Sequence, residues 1–305
     1  MMIFPSGSHT PNLALRTALL PGLLATALAL AGCAQTSGNP GGATATSRAQ
    51  ATAPAADLTS AARAEQSPTT LTMGALQAGT AYETPVYTYE SPHPGPTLVF
   101  IGGIHGNEKS GHLAMLDAIE RGISLSRGRL VMIPSFNRMA VEQNRRTLSR
   151  SGSELNGQDF NRMFPVGEPP ISAIGRELWE LLKAQPDLAF VVDFHDGFVT
   201  RSSGERGLGN TLLRTAQPQA MAIGQKLRDT LEAMRPANSV GLEWDARGWP
   251  IADSLIRKVG RDLGVPGILI ELSGRTVQDP LPLRKLYVFT MIRLIGEENG
   301  IEIVF

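Results

Sequence analysis

Thr97-Leu98-Val99-Phe100-Ile101-Gly102-Gly103-Ile104-His105-Gly106-Asn107-Glu108 is the stretch that decides how this chain is read. Residues 97–101 are apolar and largely β-branched or aromatic, the pattern of a strand buried on both faces. Gly102 and Gly103 break that pattern, and a helical pattern begins near Ser110. A glycine corner at a strand end lets the backbone take positive φ and lets another group approach closely. His105 and Glu108 sit three apart across the corner and can point at one centre. An imidazole nitrogen and a carboxylate oxygen are both good zinc ligands. A bare pair of this kind also fits an ordinary surface turn, so the rest of the chain has to decide.

Outward from this corner, strand patterns are expected at 84–89, 97–101, 130–133, 190–194 and 268–272. Helical patterns alternate with them at 110–121, 172–184, 217–234, 251–263 and 283–298. The pattern at 172–184 is the clearest, with Ile174, Leu178, Leu181 and Leu182 on one face and Arg176, Glu177, Glu180 and Lys183 off it. Alternating strands and helices imply an α/β fold: a mixed, mostly parallel central sheet with helices on both faces. Sites in such sheets gather at the carboxyl ends of strands.

Two more strand patterns end in chemistry. Ala189-Phe190-Val191-Val192-Asp193-Phe194-His195-Asp196-Gly197 carries Asp193 and His195. Gly267-Ile268-Leu269-Ile270-Glu271-Leu272-Ser273-Gly274 carries Glu271 among apolar residues. A buried histidine and a buried acid are each costly without a partner, and a metal ion supplies one for both. Gly157-Gln158-Asp159-Phe160-Asn161-Arg162-Met163-Phe164-Pro165 follows Asn144-Arg145-Arg146. Arginine suits the two-point grip of a carboxylate.

The ordered set G-G-I-H-G-N-E, D-F-N-R-M-F-P, V-D-F-H-D and I-E-L-S-G resembles the zinc carboxypeptidase superfamily. Within it, the set is most similar to the branch of succinylglutamate desuccinylases and aspartoacylases. The resemblance covers residues 71–305. It implies one zinc ion per chain held by His105, Glu108 and His195, with Glu271 as general base and acid. It implies that Asn161 and Arg162 hold a substrate carboxylate. It also implies an arginine upstream of the D-F-N-R motif that polarises the scissile carbonyl. Arg145 and Arg146 both fit by position, with Arg146 preferred. Two His and one Glu leave a fourth zinc position open, and zinc lowers the pKa of water toward ~7. Asp193 lies two residues before His195, on the same strand face, where it can orient the imidazole. His112 is a rival third ligand, set aside because a distant strand-end histidine closes such sites.

Two departures from the family pattern matter. The region just before the glutamate strand has Trp244 and Trp249 and no tyrosine, where many carboxypeptidases have a mobile one. The cytoplasmic deacylases carry a further β-rich domain after the glutamate strand; here one helix and a short apolar tail are expected after Glu271, so the substrate gating of those enzymes is not carried over. The expected function is therefore a deacylase acting on an N-acyl amino acid or small peptide with a free carboxylate. A zinc carboxypeptidase or peptidoglycan-peptide amidase is the alternative, and a non-catalytic binding lipoprotein the next.

The N-terminal region sets location. Arg16 precedes the apolar run 18–30, the layout of an export signal too short for a membrane span. Leu30-Ala31-Gly32-Cys33 is similar to the bacterial lipobox, which implies acylation of Cys33 and anchoring in the cell envelope, facing the periplasm. Residues 34–70 are rich in Ala, Thr, Ser, Gly and Pro, and are expected to form an unstructured tether. The catalytic domain is expected over 71–305. Cys33 is the single cysteine, which excludes an intrachain disulfide, a cysteine nucleophile and a cysteine zinc site in the domain. Lys and Arg number 28, as do Asp and Glu, so no basic excess argues for nucleic acid.

Overall fold

In the computed structural model, the described residues are 68–149, 156–197, 209–239, 245–248, 250–273 and 279–305. The expected export signal, Cys33 and nearly all of the expected tether lie outside them, as do Trp244 and Trp249.

The apolar runs become strands because each is covered on both sides. In chain order the elements are β1 (Thr70–Leu76), β2 (Thr84–Glu90), β3 (Thr97–Gly102), α1 (Lys109–Arg121), β4 (Ser124–Leu125), β5 (Arg129–Ile133) and α2 (Arg138–Glu142). A short 3-10 turn at Phe160–Arg162 leads to α3 (Ala173–Lys183), β6 (Leu188–Gly197), β7 (Thr211–Arg214), α4 (Pro218–Met234) and β8 (Asp245–Gly248). The chain closes with α5 (Leu255–Lys258), a π turn (Val259–Leu263), β9 (Gly267–Ser273), α6 (Leu281–Glu298) and β10 (Ile303–Val304). Eight strands form one sheet in the order β1-β2-β5-β3-β6-β9-β7-β8, while β4 and β10 pair separately.

The sheet is mixed. The central neighbours β5, β3, β6 and β9 run parallel, as do β7 and β8, whereas β1–β2, β2–β5 and β7–β9 are antiparallel. Side chains alternate between faces along a strand. On one face Leu98, Phe100, Val192, Phe194, Ile268 and Ile270 pack with residues of α1, α4 and α6. On the other, Val99, Ile101, Val191 and Leu269 pack with residues of α3 and α5. The same alternation puts Asp193, His195 and Glu271 on this second face, at the carboxyl ends of β6 and β9. His195 stands directly opposite Glu271 in the parallel ladder.

The strands and helices expected from the sequence are present, with one correction. The expected helix over 251–263 begins only at Leu255 and ends in a π turn. The Ser254 hydroxyl accepts from the Arg257 amide, and Asn161 Oδ1 accepts from the Leu255 amide at 3.3 Å. Two caps at this point start the helix four residues late. Strands β1, β4, β7, β8 and β10 and the short helix α2 were not expected. In β1 all residues but Leu76 are exposed, so no burial pattern marks it in the sequence.

Gly106 shows how tightly the corner after β3 is held. A Cβ there would stand 2.0 Å from the Ala140 carbonyl carbon, 2.1 Å from its oxygen and 2.2 Å from the Val141 nitrogen. These are backbone atoms of α2 and cannot swing aside. Gly106→Ala is expected to destabilise the fold by about 2–3 kcal/mol and to displace His105 and Glu108. Urea unfolding with a parallel zinc titration checks this; an unchanged midpoint and unchanged zinc uptake would contradict it.

Candidate metal centre

Each group of the centre comes from a different part of the sheet's carboxyl edge. His105 follows β3 through Gly102 and Gly103, the latter at φ +68°. Glu108 is the N-cap residue of α1, yet its carboxylate does not cap the helix. It turns inward to the imidazoles. The capping role falls to Asp196, whose Oδ2 accepts from the Lys109 and Ser110 amides at 2.9 and 3.2 Å. That frees Glu108 to face the site. His195 comes from the end of β6.

His105, Glu108 and His195 form a buried group able to hold a metal ion, with one ligand atom from each lying within 4.8 Å of the others. His105 Nε2 is 2.8 Å from Asp159 Oδ1, and His195 Nε2 is 2.8 Å from Asp193 Oδ2. An ionised carboxylate can only accept, so each Nε2 carries a proton, and in the neutral imidazole each Nδ1 presents a lone pair. The two Nδ1 atoms lie 3.1 Å apart. Glu108 Oε1 stands 2.9 Å from one and Oε2 2.7 Å from the other. Lone pairs converging in this way repel unless a cation or a proton sits among them. Two ligands at ~2.1 Å from a tetrahedral ion stand ~3.4 Å apart, so shifts of a few tenths of an ångström admit one.

The charge balance points the same way. Glu108, Asp159 and Asp193 are three carboxylates. The Arg146 guanidinium is hydrogen-bonded to two of them, reaching Glu108 Oε1 at 2.8 Å and Asp159 Oδ2 at 3.0 Å. Asp193 is fully buried, and its Oδ1 has no hydrogen-bond partner. A divalent cation matches this donor set and its charge deficit.

The pKa shifts follow from the same contacts. Burial alone would raise the Glu108 carboxyl, but the two imidazoles outweigh it and hold the group well below the usual carboxylate range. Burial likewise opposes ionisation of Asp159, and His105 and Arg146 overcome it, again holding the carboxyl well below its usual range. Burial disfavours a charged His195, yet Asp193 and Glu108 raise it well above an ordinary histidine. Glu271 behaves differently. Burial pushes it up to about 8; His195 opposes the rise and Glu108 adds to it. Asp196 is raised mainly by burial, against the pull of Arg284.

The remaining sequence candidates fall as follows. Of the two arginines left open, Arg146 reaches the cluster. Arg145 is exposed, and together with Arg146, Asn107, Asn144 and Asn156 it lines a cleft of about 460 Å³. Arg162 is exposed, with Nη1 donating to the Asn161 carbonyl at 2.8 Å. Asn161 is buried; its oxygen is engaged by Leu255, and its Nδ2 lies 3.5 Å from His195 Nε2. His112 turns away from the group: its Nδ1 is 3.2 Å from the Pro134 carbonyl and 2.9 Å from Ser135 Oγ. The sequence reading gave no role to Asp159, Asp196 or Arg284, though Asp159 heads the D-F-N-R motif and Asp196 closes V-D-F-H-D.

Comparison with solved structures places this fold. The tripeptide-bound cell shape determinant Csd4 from Helicobacter pylori is 17% identical, with a TM-score of 0.55 over 77% of this chain and 56% of that one. The chain thus spans little more than half of that protein's length. A candidate metallopeptidase from Shewanella amazonensis is 20% identical, with a TM-score of 0.57 over 75% of this chain and 87% of that one. The product-bound ectoine utilization protein EutE from Ruegeria pomeroyi is 18% identical, with a TM-score of 0.52 over 77% and 68% of the two chains. These likenesses show a zinc-carboxypeptidase-like fold. A comparison with curated proteins gives no match. The sequence model described as the Succinylglutamate desuccinylase/Aspartoacylase catalytic domain matches residues 94–286, well over half of the 305. That span includes every group of the centre just described, and the chain belongs to this family of amide-bond hydrolases.

Proposed function

We propose that the protein is a zinc-dependent amide hydrolase acting on an N-acyl amino acid or short peptide that carries a free carboxylate. The observation that carries this reading is the convergence of His105 Nδ1, His195 Nδ1 and the Glu108 carboxylate, with Glu271 directly across the ladder from His195. His105, Glu108 and His195 would hold the ion. When bound, zinc supplies Lewis-acid polarisation and a nucleophilic water at neutral pH.

The chain's own groups do the rest. Glu271 takes a proton from the attacking water and returns it to the leaving amine. Among the described residues it makes no hydrogen bond that would tie up its carboxylate. Arg146 has five N–H donors, of which two are engaged by Glu108 and Asp159; the others are available to the oxyanion. Asp159 and Asp193 hold the two rings in register. Arg162 offers its exposed guanidinium to the substrate carboxylate.

One observation favours a second reading, hydrolysis of short peptides. The cleft beside Arg146, about 460 Å³, is larger than a two-carbon acyl group needs. The similarly folded Csd4 has been solved with a tripeptide and in an mDAP-bound form as a D,L-carboxypeptidase. For location, we propose an exported lipoprotein acylated at Cys33, on the strength of the lipobox-like Leu30-Ala31-Gly32-Cys33.

The test strips the purified protein with a chelator, restores zinc, and follows amine release from N-acyl amino acids and short peptides. Free and amidated carboxyl termini are compared. Zinc-restored hydrolysis that demands the free carboxylate is expected. A zinc-loaded protein that cleaves nothing in the panel would overturn the enzyme reading and favour a binding lipoprotein. Membrane fractionation of the full chain and of Cys33→Ser is the companion measurement; equal partition of the two would sink the anchor.

A further inference from the structure

Asp196 and Arg284 make a buried ion pair beside the metal centre that the proposed chemistry does not use. Asp196 Oδ2 accepts from Arg284 Nη1 at 2.8 Å, as well as from the Lys109 and Ser110 amides. Arg284 Nη1 also reaches Ser110 Oγ at 2.5 Å, and its Nε donates to the Asp279 carbonyl at 2.9 Å. The Asp196 amide in turn donates to Glu108 Oε2 at 3.3 Å. Both side chains are buried.

Docking α6 onto its neighbours does not require this pair. Tyr287, Val288, Met291 and Ile292 of α6 are fully buried in the same apolar cluster as Ala114, Met115 and Ala118 of α1. An apolar pair at 196 and 284 would serve packing as well or better, because burying two charges costs desolvation. The pair supplies orientation instead. Lys109 and Ser110 are the two residues after Glu108, and Asp196 is the residue after His195. Two ligand-bearing segments from different elements therefore meet on one carboxylate, and one guanidinium fixes where it stands.

We infer that Arg284, on the C-terminal helix, is a positioning residue for the metal centre, acting through Asp196 on the segments that carry Glu108 and His195. This rests on the metal-centre reading above. Arg284 touches neither the ion nor the reacting atoms. Partners hydrogen-bonded directly to a metal ligand change metal affinity by roughly 10–100-fold when removed; Arg284 stands one hydrogen bond further out, behind Asp196, so a smaller, several-fold change is expected.

The experiment measures zinc affinity by chelator competition and the absorption spectrum of the cobalt-substituted full chain, alongside thermal unfolding. Arg284→Gln keeps much of the volume and removes the charge. It is expected to unfold cooperatively, to bind zinc several-fold more weakly, and to shift the cobalt bands. Arg284→Lys is the second variant and guards against loss of folding in the first. It keeps a cation for Asp196 but cannot reach Ser110 Oγ and Asp279 together, so it should recover part of the affinity. Leu231→Ala is the control for lost stability alone; it empties a buried position of α4 and should leave zinc affinity and the cobalt spectrum unchanged. Wild-type zinc affinity in Arg284→Gln overturns the inference, and where Arg284→Gln does not fold, wild-type affinity with an unshifted cobalt spectrum in Arg284→Lys overturns it. So does a Leu231→Ala protein that weakens zinc as much as Arg284→Gln. Wild-type protein that binds no metal at all would bring down the metal-centre reading itself, and the inference with it.

Discussion

His195→Ala is expected to empty the metal centre. The substitution removes one of three ligand atoms, and His105 with Glu108 alone is a poor site for zinc. It also strands Asp193. That fully buried carboxylate has one oxygen on His195 and the other with no hydrogen-bond partner, so the variant leaves it with neither. An unsatisfied buried acceptor costs about 1–3 kcal/mol, more if it stays charged. Two readouts should therefore change together. Metal analysis should show most zinc gone. Zinc at 1,000 times its dissociation constant should stabilise wild type by about 4 kcal/mol through mass action and the variant hardly at all. His112→Ala is the informative contrast, because its ring is held by Pro134 and Ser135 rather than by the cluster. If His112→Ala loses zinc and His195→Ala keeps it, the ligand set is misassigned.

The parts of this structure that were legible in the sequence share one physical property. Strands β3, β5, β6 and β9 are each covered on both faces, so burial is written into a continuous apolar run. Glycines at 103 and 106 flag the corner, because the first takes positive φ and the second lies too close to the α2 backbone for a side chain. His195 and Glu271 stand out because a polar residue inside an apolar strand needs a reason. The edge of the sheet offers no such signal: β1 is exposed at every residue but Leu76, and β8 is Asp-Ala-Arg-Gly, which reads as loop.

The supporting polar network was illegible for a different reason. Asp159 meets His105 across 54 residues and Arg284 meets Asp196 across 88, and no local periodicity records either pairing. Arg284 lies in the first turn of a helix, where an arginine would ordinarily be read as solvated. Asn161 shows the limit of motif reasoning. The motif places it near the site, but the fold engages its oxygen in capping α5 and turns its nitrogen toward His195. The two arginines at 145 and 146 are adjacent in sequence and equivalent in chemistry. Both line the cleft, and only the path of the loop decides that Arg146 reaches Glu108 while Arg145 stays exposed.

Glu271→Gln is expected to separate structure from chemistry. The carboxylate lies on a strand whose other side chains are all buried, and burial pushes its carboxyl up to about 8. Gln has nearly the same shape, so the packing around it is retained. Gly197 matters here: a Cβ at that position would stand 3.0 Å from Glu271 Oε2, and its absence leaves room for a side chain of this length. An amide cannot accept the proton of an attacking water or return it to the leaving amine. The variant is therefore expected to fold, to bind zinc as wild type does, and to retain KM within a few fold, while kcat drops by roughly 10²-fold or more. Zinc titration and steady-state kinetics on the same preparation read all three. Near-normal kcat would mean that the proton is handled elsewhere, with Asp159 the next carboxylate to test because it already contacts both His105 and Arg146. Loss of zinc along with activity would mean that Glu271 belongs to the ligand set, and the division of labour between the two edges of the ladder would have to be redrawn.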